Sequence, residues 1–234
     1  QLIMAEECYF FLMASMRKMR MNIPLSFTLE FFSDIFLAAI AENQIQEGVI
    51  ELLAYRNRDD GFSAKTPVHF YFEIRQKDEV LKISEKYELD LMKEISVNTN
   101  VLSNIKVHSP ENIYAEIYAK ENDLDDMIFL NPNKQIARTI YGNLLLLEEN
   151  TIKIPKQTEG AYISPLMENF VTFVHKNNLA TIEEAELSAF ESQKAEEILV
   201  ISDEKGIFTV SKIRNKEFGN ERYKTMLEAW KTSF

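Results

Sequence analysis

Between Val101 and Asn143 the chain places one lysine, one helix and a strand–turn–strand in succession, and the chain is organised around that order. Lys106 precedes Ser109-Pro110, an N-cap residue followed by proline at the first helical position, and the helix is expected to run to about Asn122. Asp126–Leu130 is an apolar run of strand length. Asn131-Pro-Asn-Lys134 carries turn chemistry, and a second extended run ends in Gly142-Asn143.

The rest of the chain reads as scaffold for this stretch. Tyr9, Leu12, Met13 and Met16 form one apolar face of a helix over residues 5–21, closed by Pro24, and Thr28 opens a second helix to about Glu42. Val49–Arg56 and Val68–Arg75 flank the loop Asn57–Gly61 and predict an antiparallel pair. Leu144–Leu147 and Thr151–Ile154 enclose a turn at Glu148–Asn150. Ser164-Pro165 repeats the N-cap signature and opens a helix to about Asn177. Ser188 has capping-box spacing to Glu191, Glu197–Ile201 and Ile207–Ile213 enclose a turn at Ser202–Gly206, and Gly219 leads into a last helix bearing Met226, Leu227 and Trp230. Prominent hairpins interleaved with helices, and no G-x-G-x-x-G, predict a mixed α+β fold rather than a doubly wound parallel sheet. The charged stretch Gln76–Lys86 is the expected linker, dividing a smaller domain (1–82) from a larger one (83–234) that holds Lys106.

Composition narrows the function. A net charge of −11 with scattered basic residues argues against a nucleic-acid surface, and no apolar run is long enough to cross a bilayer as a helix. The single cysteine, Cys8, excludes an internal disulfide and suits a reducing cytoplasmic setting; His69, His108 and His175 lack metal-ligand spacing, so no metal site is expected.

The succession around Lys106 resembles the class IV aminotransferase family of pyridoxal-phosphate (PLP) enzymes, which includes branched-chain and D-amino-acid aminotransferases and 4-amino-4-deoxychorismate lyase. The resemblance implies the two-domain D-amino-acid aminotransferase-like fold and a homodimer. It also implies PLP as cofactor, with Lys106 as the Schiff-base lysine, and an amino-acid-like or chorismate-derived substrate. The family's short N-terminal strands and its G-D-G-x-F-E-T-like segment have no counterpart, so the smaller domain is expected to lack them.

Carried over position by position, the cofactor-binding set is Arg138, Thr139, Asn143, Ser164, Ser202 and Arg56, and it departs from the family at several points. Arg138 stands where the family has a glutamate on the pyridine nitrogen, and an arginine has only donors to offer. Phe11 replaces a phosphate-binding arginine, Pro165 removes one N–H from a helix start, Ser202-Asp203-Glu204 replaces a Thr/Ser-Asn-Ala turn, and Glu51 stands in the first position of an arginine pair whose second is Arg56. Two readings follow: a PLP-dependent aminotransferase or lyase with altered chemistry, or a catalytically inactive homologue serving as a dimeric binding or structural scaffold. Other constellations are weaker. Asp125-Asp126 and Glu183-Glu184 are expected on solvated faces, His108 is expected to cap the nearby helix, and Ser202 has no placed histidine to make it a nucleophile.

Overall fold

The structure is a computed structural model and describes residues 1–57, 63, 65–79, 81–107 and 109–234; His108 and residues 58–61 of the Asn57–Gly61 loop lie outside them. The chain forms two compact units, Gln1–Val80 and Leu81–Phe234.

In the first unit, helices α1 (Ala5–Lys18) and α2 (Leu29–Glu42) accompany an antiparallel pair, β1 (Gly48–Arg56) and β2 (Val68–Gln76). The register sets Leu52 opposite Phe72 and Ala54 opposite Phe70. Strand alternation therefore turns these residues inward: Leu52, Ala54 and Phe70 pack against the cluster of Met13, Met16, Phe27, Phe32 and Val68, and Phe72 meets Phe36. Phe27, Phe32 and Phe70 meet edge-on, with centroids 5.2 to 5.4 Å apart. The Thr28 hydroxyl accepts from Phe31 N–H at 3.1 Å and so fixes the α2 start. The first helix ends at Lys18, three residues short of the expected boundary, because Arg20 adopts a left-handed backbone (φ 53°).

The second unit is built on one nine-stranded sheet: β3 (Ile83–Leu91), β4 (Asp126–Leu130), β5 (Ile136–Thr139), β6 (Asn143–Glu148), β7 (Thr151–Pro155), β8 (Thr181–Ala185), β9 (Glu197–Ser202), β10 (Gly206–Ile213) and the short β11 (Lys216–Glu217). Spatial order is β5-β4-β3-β10-β9-β6-β7-β8, with β11 paired to β10. The β3–β4, β3–β10 and β7–β8 pairs are parallel and the other pairs antiparallel, which is the expected mixed class. Its helices are α3 (Pro110–Glu121), α4 (Pro165–Lys176), α5 (Ala189–Ser192) and α6 (Glu221–Lys231).

Both faces of β6 and β9 are covered, so these strands read as unbroken apolar runs. Leu145, Leu147, Leu199 and Ile201 pack on one side against Phe170, Val174 and Trp230 of α4 and α6, while Leu144, Leu146, Ile198 and Val200 pack on the other with Leu187 and Val210. Trp230 is fully buried, edge-on to Phe170, and its indole N–H donates to Asn169 Oδ1 at 2.8 Å. Beneath α3, Ala115 and Ala119 let the helix settle on Met127, Phe129 and Ala137 of β4 and β5.

Three sequence expectations need correction. The charged stretch Gln76–Lys86 is not linker throughout, because β3 starts at Ile83 and buries Tyr87, Leu89 and Leu91. The extended run expected to end at Gly142-Asn143 stops earlier, with β5 ending at Thr139, and the strand expected over Leu144–Leu147 starts one residue sooner, as β6 from Asn143. Gly142 makes the bend possible, since a Cβ there would lie 2.1 Å from the carbonyl oxygen of Ile201. Finally, Asp126 lies on no solvated face; it is fully buried.

Candidate functional site

The start of α4 is where the family resemblance implies an anion, and a helix N-terminus presents unpaired N–H groups and a positive dipole end. Each of its N–H groups has a partner within the chain. Pro165 has none to offer, Leu166 N–H donates to Asp203 Oδ1 at 3.0 Å, Met167 N–H to Ser164 Oγ at 3.1 Å, and Glu168 N–H to the Ser164 carbonyl at 2.9 Å. Asp203 is a surface residue, but its carboxyl is packed closely enough that desolvation raises its pKa. Leu166 N–H, the Ser164 hydroxyl and the Lys106 charge act in the opposite direction.

The β9–β10 turn is also satisfied internally. Ser202, 1% exposed, donates its hydroxyl proton to the Tyr141 carbonyl at 2.7 Å and accepts from Glu204 N–H at 3.3 Å and Lys205 N–H at 3.0 Å. Glu204 forms an ion pair with Lys106 and a second, at 3.3 Å, with Lys205. Burial pushes the Glu204 carboxyl up, but its two lysine partners outweigh this and hold it below the usual range. Lys106 is positioned by the segment before it: Asn104 Nδ2 donates to the carbonyls of Gln157 at 2.6 Å and Ala161 at 2.8 Å, and Ile163 N–H donates back to the Asn104 carbonyl at 2.8 Å. The Lys106 side chain remains 37% exposed.

Arg138, Thr139 and Asn143 form a second group. The Arg138 guanidinium, 5% exposed, lies 4.3 Å from the Tyr162 ring centroid and 4.8 Å from that of Phe129. It donates to the Thr139 carbonyl at 2.8 Å and to Asn112 Oδ1 at 2.9 Å. Asn112 also donates to the Tyr162 hydroxyl at 3.0 Å. The Thr139 hydroxyl accepts from Gly142 N–H at 3.0 Å, so it closes the β5–β6 bend. Both ends of the buried Asn143 amide pair with the Tyr162 backbone, Nδ2 donating to its carbonyl at 2.8 Å and Oδ1 accepting from its N–H at 2.9 Å. Under this group lies Asp126, whose carboxylate accepts from Met127 N–H at 2.7 Å, Ile140 N–H at 2.9 Å and Tyr87 O–H at 3.2 Å. Burial nevertheless pushes its pKa up to about 6.

Of the residues predicted from the sequence, Lys106, Ser164 and Ser202 are thus linked through Asp203 and Glu204, while Arg138 and Asn143 converge on Tyr162 and Thr139 joins them through the carbonyl that accepts from Arg138. Arg56 belongs to the first unit, where its guanidinium caps α1 by donating to the Met19 carbonyl. Sequence reasoning missed Asn112, Asp126 and Tyr162 as participants. Only the asparagine, on a helix directly after Lys106, carried a signal in its placement. On the flank of α4 a cleft of about 240 Å³ is lined by Ile154, Met167, Val171 and Ile182, with Glu168 and Glu184 adding further negative charge. Among the described residues no group of three or more His, Cys, Asp or Glu could hold a metal ion, and no helix is long and apolar enough to cross a membrane.

A sequence profile of the family "Amino-transferase class IV" matches residues 12–213, and the chain belongs to that family. Among solved structures, a candidate 4-amino-4-deoxychorismate lyase from Legionella pneumophila superposes with a TM-score of 0.86 at 16% identity, over 98% of this chain and 85% of that one. The PLP form of a branched-chain aminotransferase from Thermobaculum terrenum gives 0.85 at 16% identity over 98% and 77%. The Escherichia coli branched-chain aminotransferase gives 0.82 at 15% over 98% and 79%. At these identities the likeness is one of fold. No curated protein matches the sequence closely enough to count as a relative.

Proposed function

We propose that this chain is a class IV aminotransferase-family protein that works without PLP, as a homodimeric binding or structural scaffold. The observation that carries the reading is the donor count at the α4 start. A dianionic phosphate needs backbone N–H groups or an arginine fork, and here Asp203, Ser164 and the helix itself already take those N–H groups. The residues therefore do not fit the family's cofactor. Arg138 points the same way, because its guanidinium is engaged by Thr139 and Asn112 and stacked on two rings. Homodimerisation is carried over from the resemblance. A cytoplasmic setting belongs to the same proposal, on the strength of the single Cys8.

The test is a titration of the purified protein with PLP, followed by absorbance and thermal melting. The scaffold reading expects a flat visible spectrum and an unmoved Tm at millimolar PLP. A new visible band that disappears on borohydride reduction and in Lys106→Ala overturns it. That outcome favours the second reading, PLP-dependent amino transfer or aminodeoxychorismate-lyase-type chemistry. Its specific support is the family profile over residues 12–213 and the likeness in fold to a branched-chain aminotransferase in its PLP form. Light scattering decides the oligomeric state.

A further inference from the structure

We infer that Asp203 and Glu204 act as a built-in anionic ligand: these two carboxylates of the chain occupy the positions an external anion would take, and so exclude phosphate-bearing molecules from the Lys106 site. This rests on the cofactor-free reading above and names the residues responsible for it.

Asp203 and Leu166 lie 37 residues apart, so their contact is a product of the fold and not a local cap. It joins the β9–β10 turn to a 12-residue helix and sets a negative charge at the positive end of that helix. Glu204 brings the second charge, which Lys106 and Lys205 share. A phosphate approaching from solvent therefore meets two carboxylates and no unengaged N–H at α4. Removing the Asp203 carboxylate frees Leu166 N–H, and neutralising Glu204 leaves both lysines uncompensated beside it. The same few atoms then become a cationic, donor-rich cup.

The test compares wild type with Asp203→Ala/Glu204→Gln by thermal melting and equilibrium dialysis. The probes are inorganic phosphate and PLP, each set against chloride at equal ionic strength. Wild type is expected to show no shift with either. The double variant is expected to gain about 5 °C in Tm at saturating phosphate and to bind PLP in competition with phosphate. A folded double variant that gains no more than wild type overturns the inference and leaves the cofactor-free reading intact. If wild type itself binds phosphate and PLP as well as the variant does, that reading fails and this inference fails with it. Should the alanine variant not fold, Asp203→Asn/Glu204→Gln decides in the same way, because it keeps an acceptor for Leu166 N–H while removing both charges. Its phosphate affinity is expected to rise about tenfold, and the absence of any rise overturns the inference.

Discussion

Arg138 is a residue whose position suggests one role and whose contacts describe another. It sits where a glutamate is expected from the family pattern, yet its guanidinium is buried between two aromatic faces and donates to Thr139 and Asn112. Restoring the acid by Arg138→Glu removes both donors and brings a carboxylate close to Asp126, so we expect a loss of more than about 3 kcal/mol in urea denaturation. Arg138→Met, which keeps the stem and the ring contacts, is expected to lose less. Asp126 supplies a pH test. Its folded pKa of about 6 lies above the ordinary value of 3.8, so between those values the folded chain holds a proton that the unfolded chain has released. Stability contributed at this site is full below pH 4 and falls by roughly 3 kcal/mol as pH rises through 6. Asp126→Asn, which keeps an acceptor for Met127 N–H and Ile140 N–H, is expected to remove that slope in melts recorded from pH 4 to 7.

Among the elements, two helices share one sequence signature and differ in how they start. Ser164 accepts from Met167 N–H, whereas Ser109 makes no capping bond and instead donates to Glu111 at 2.6 Å. Ser164→Ala is therefore expected to cost about 1 kcal/mol and Ser109→Ala only a few tenths, compared by denaturant midpoints. The helices and hairpins were legible because caps, periodicity and turn residues are local signals; Thr28, Ser188 and the Ser202–Gly206 turn stand where the pattern placed them. β3 was not, because its outward residues Glu85, Lys86 and Glu88 gave it the composition of a linker while Tyr87, Leu89 and Leu91 went inward. β8 escaped for a similar reason, as an acid-rich strand at the sheet edge. In the candidate site, Lys106, Ser164 and Ser202 could be named only through the family resemblance. Their connection through Asp203 could not, since it joins residues 37 apart in sequence.

For the whole molecule, each unit encloses an apolar core of its own, around Phe27 and Phe32 in one and around the β6 and β9 leucines and isoleucines in the other. Lys106 contributes to neither. Under the scaffold reading, Lys106→Ala is therefore expected to leave both Tm and oligomeric state unchanged, read by calorimetry and light scattering, because a half-exposed ion pair contributes little. The buried indole of Trp230 has a practical corollary. It is the chain's only tryptophan and belongs to the Leu81–Phe234 unit, so emission excited at the indole edge reports the melting of that unit while the other stays optically silent.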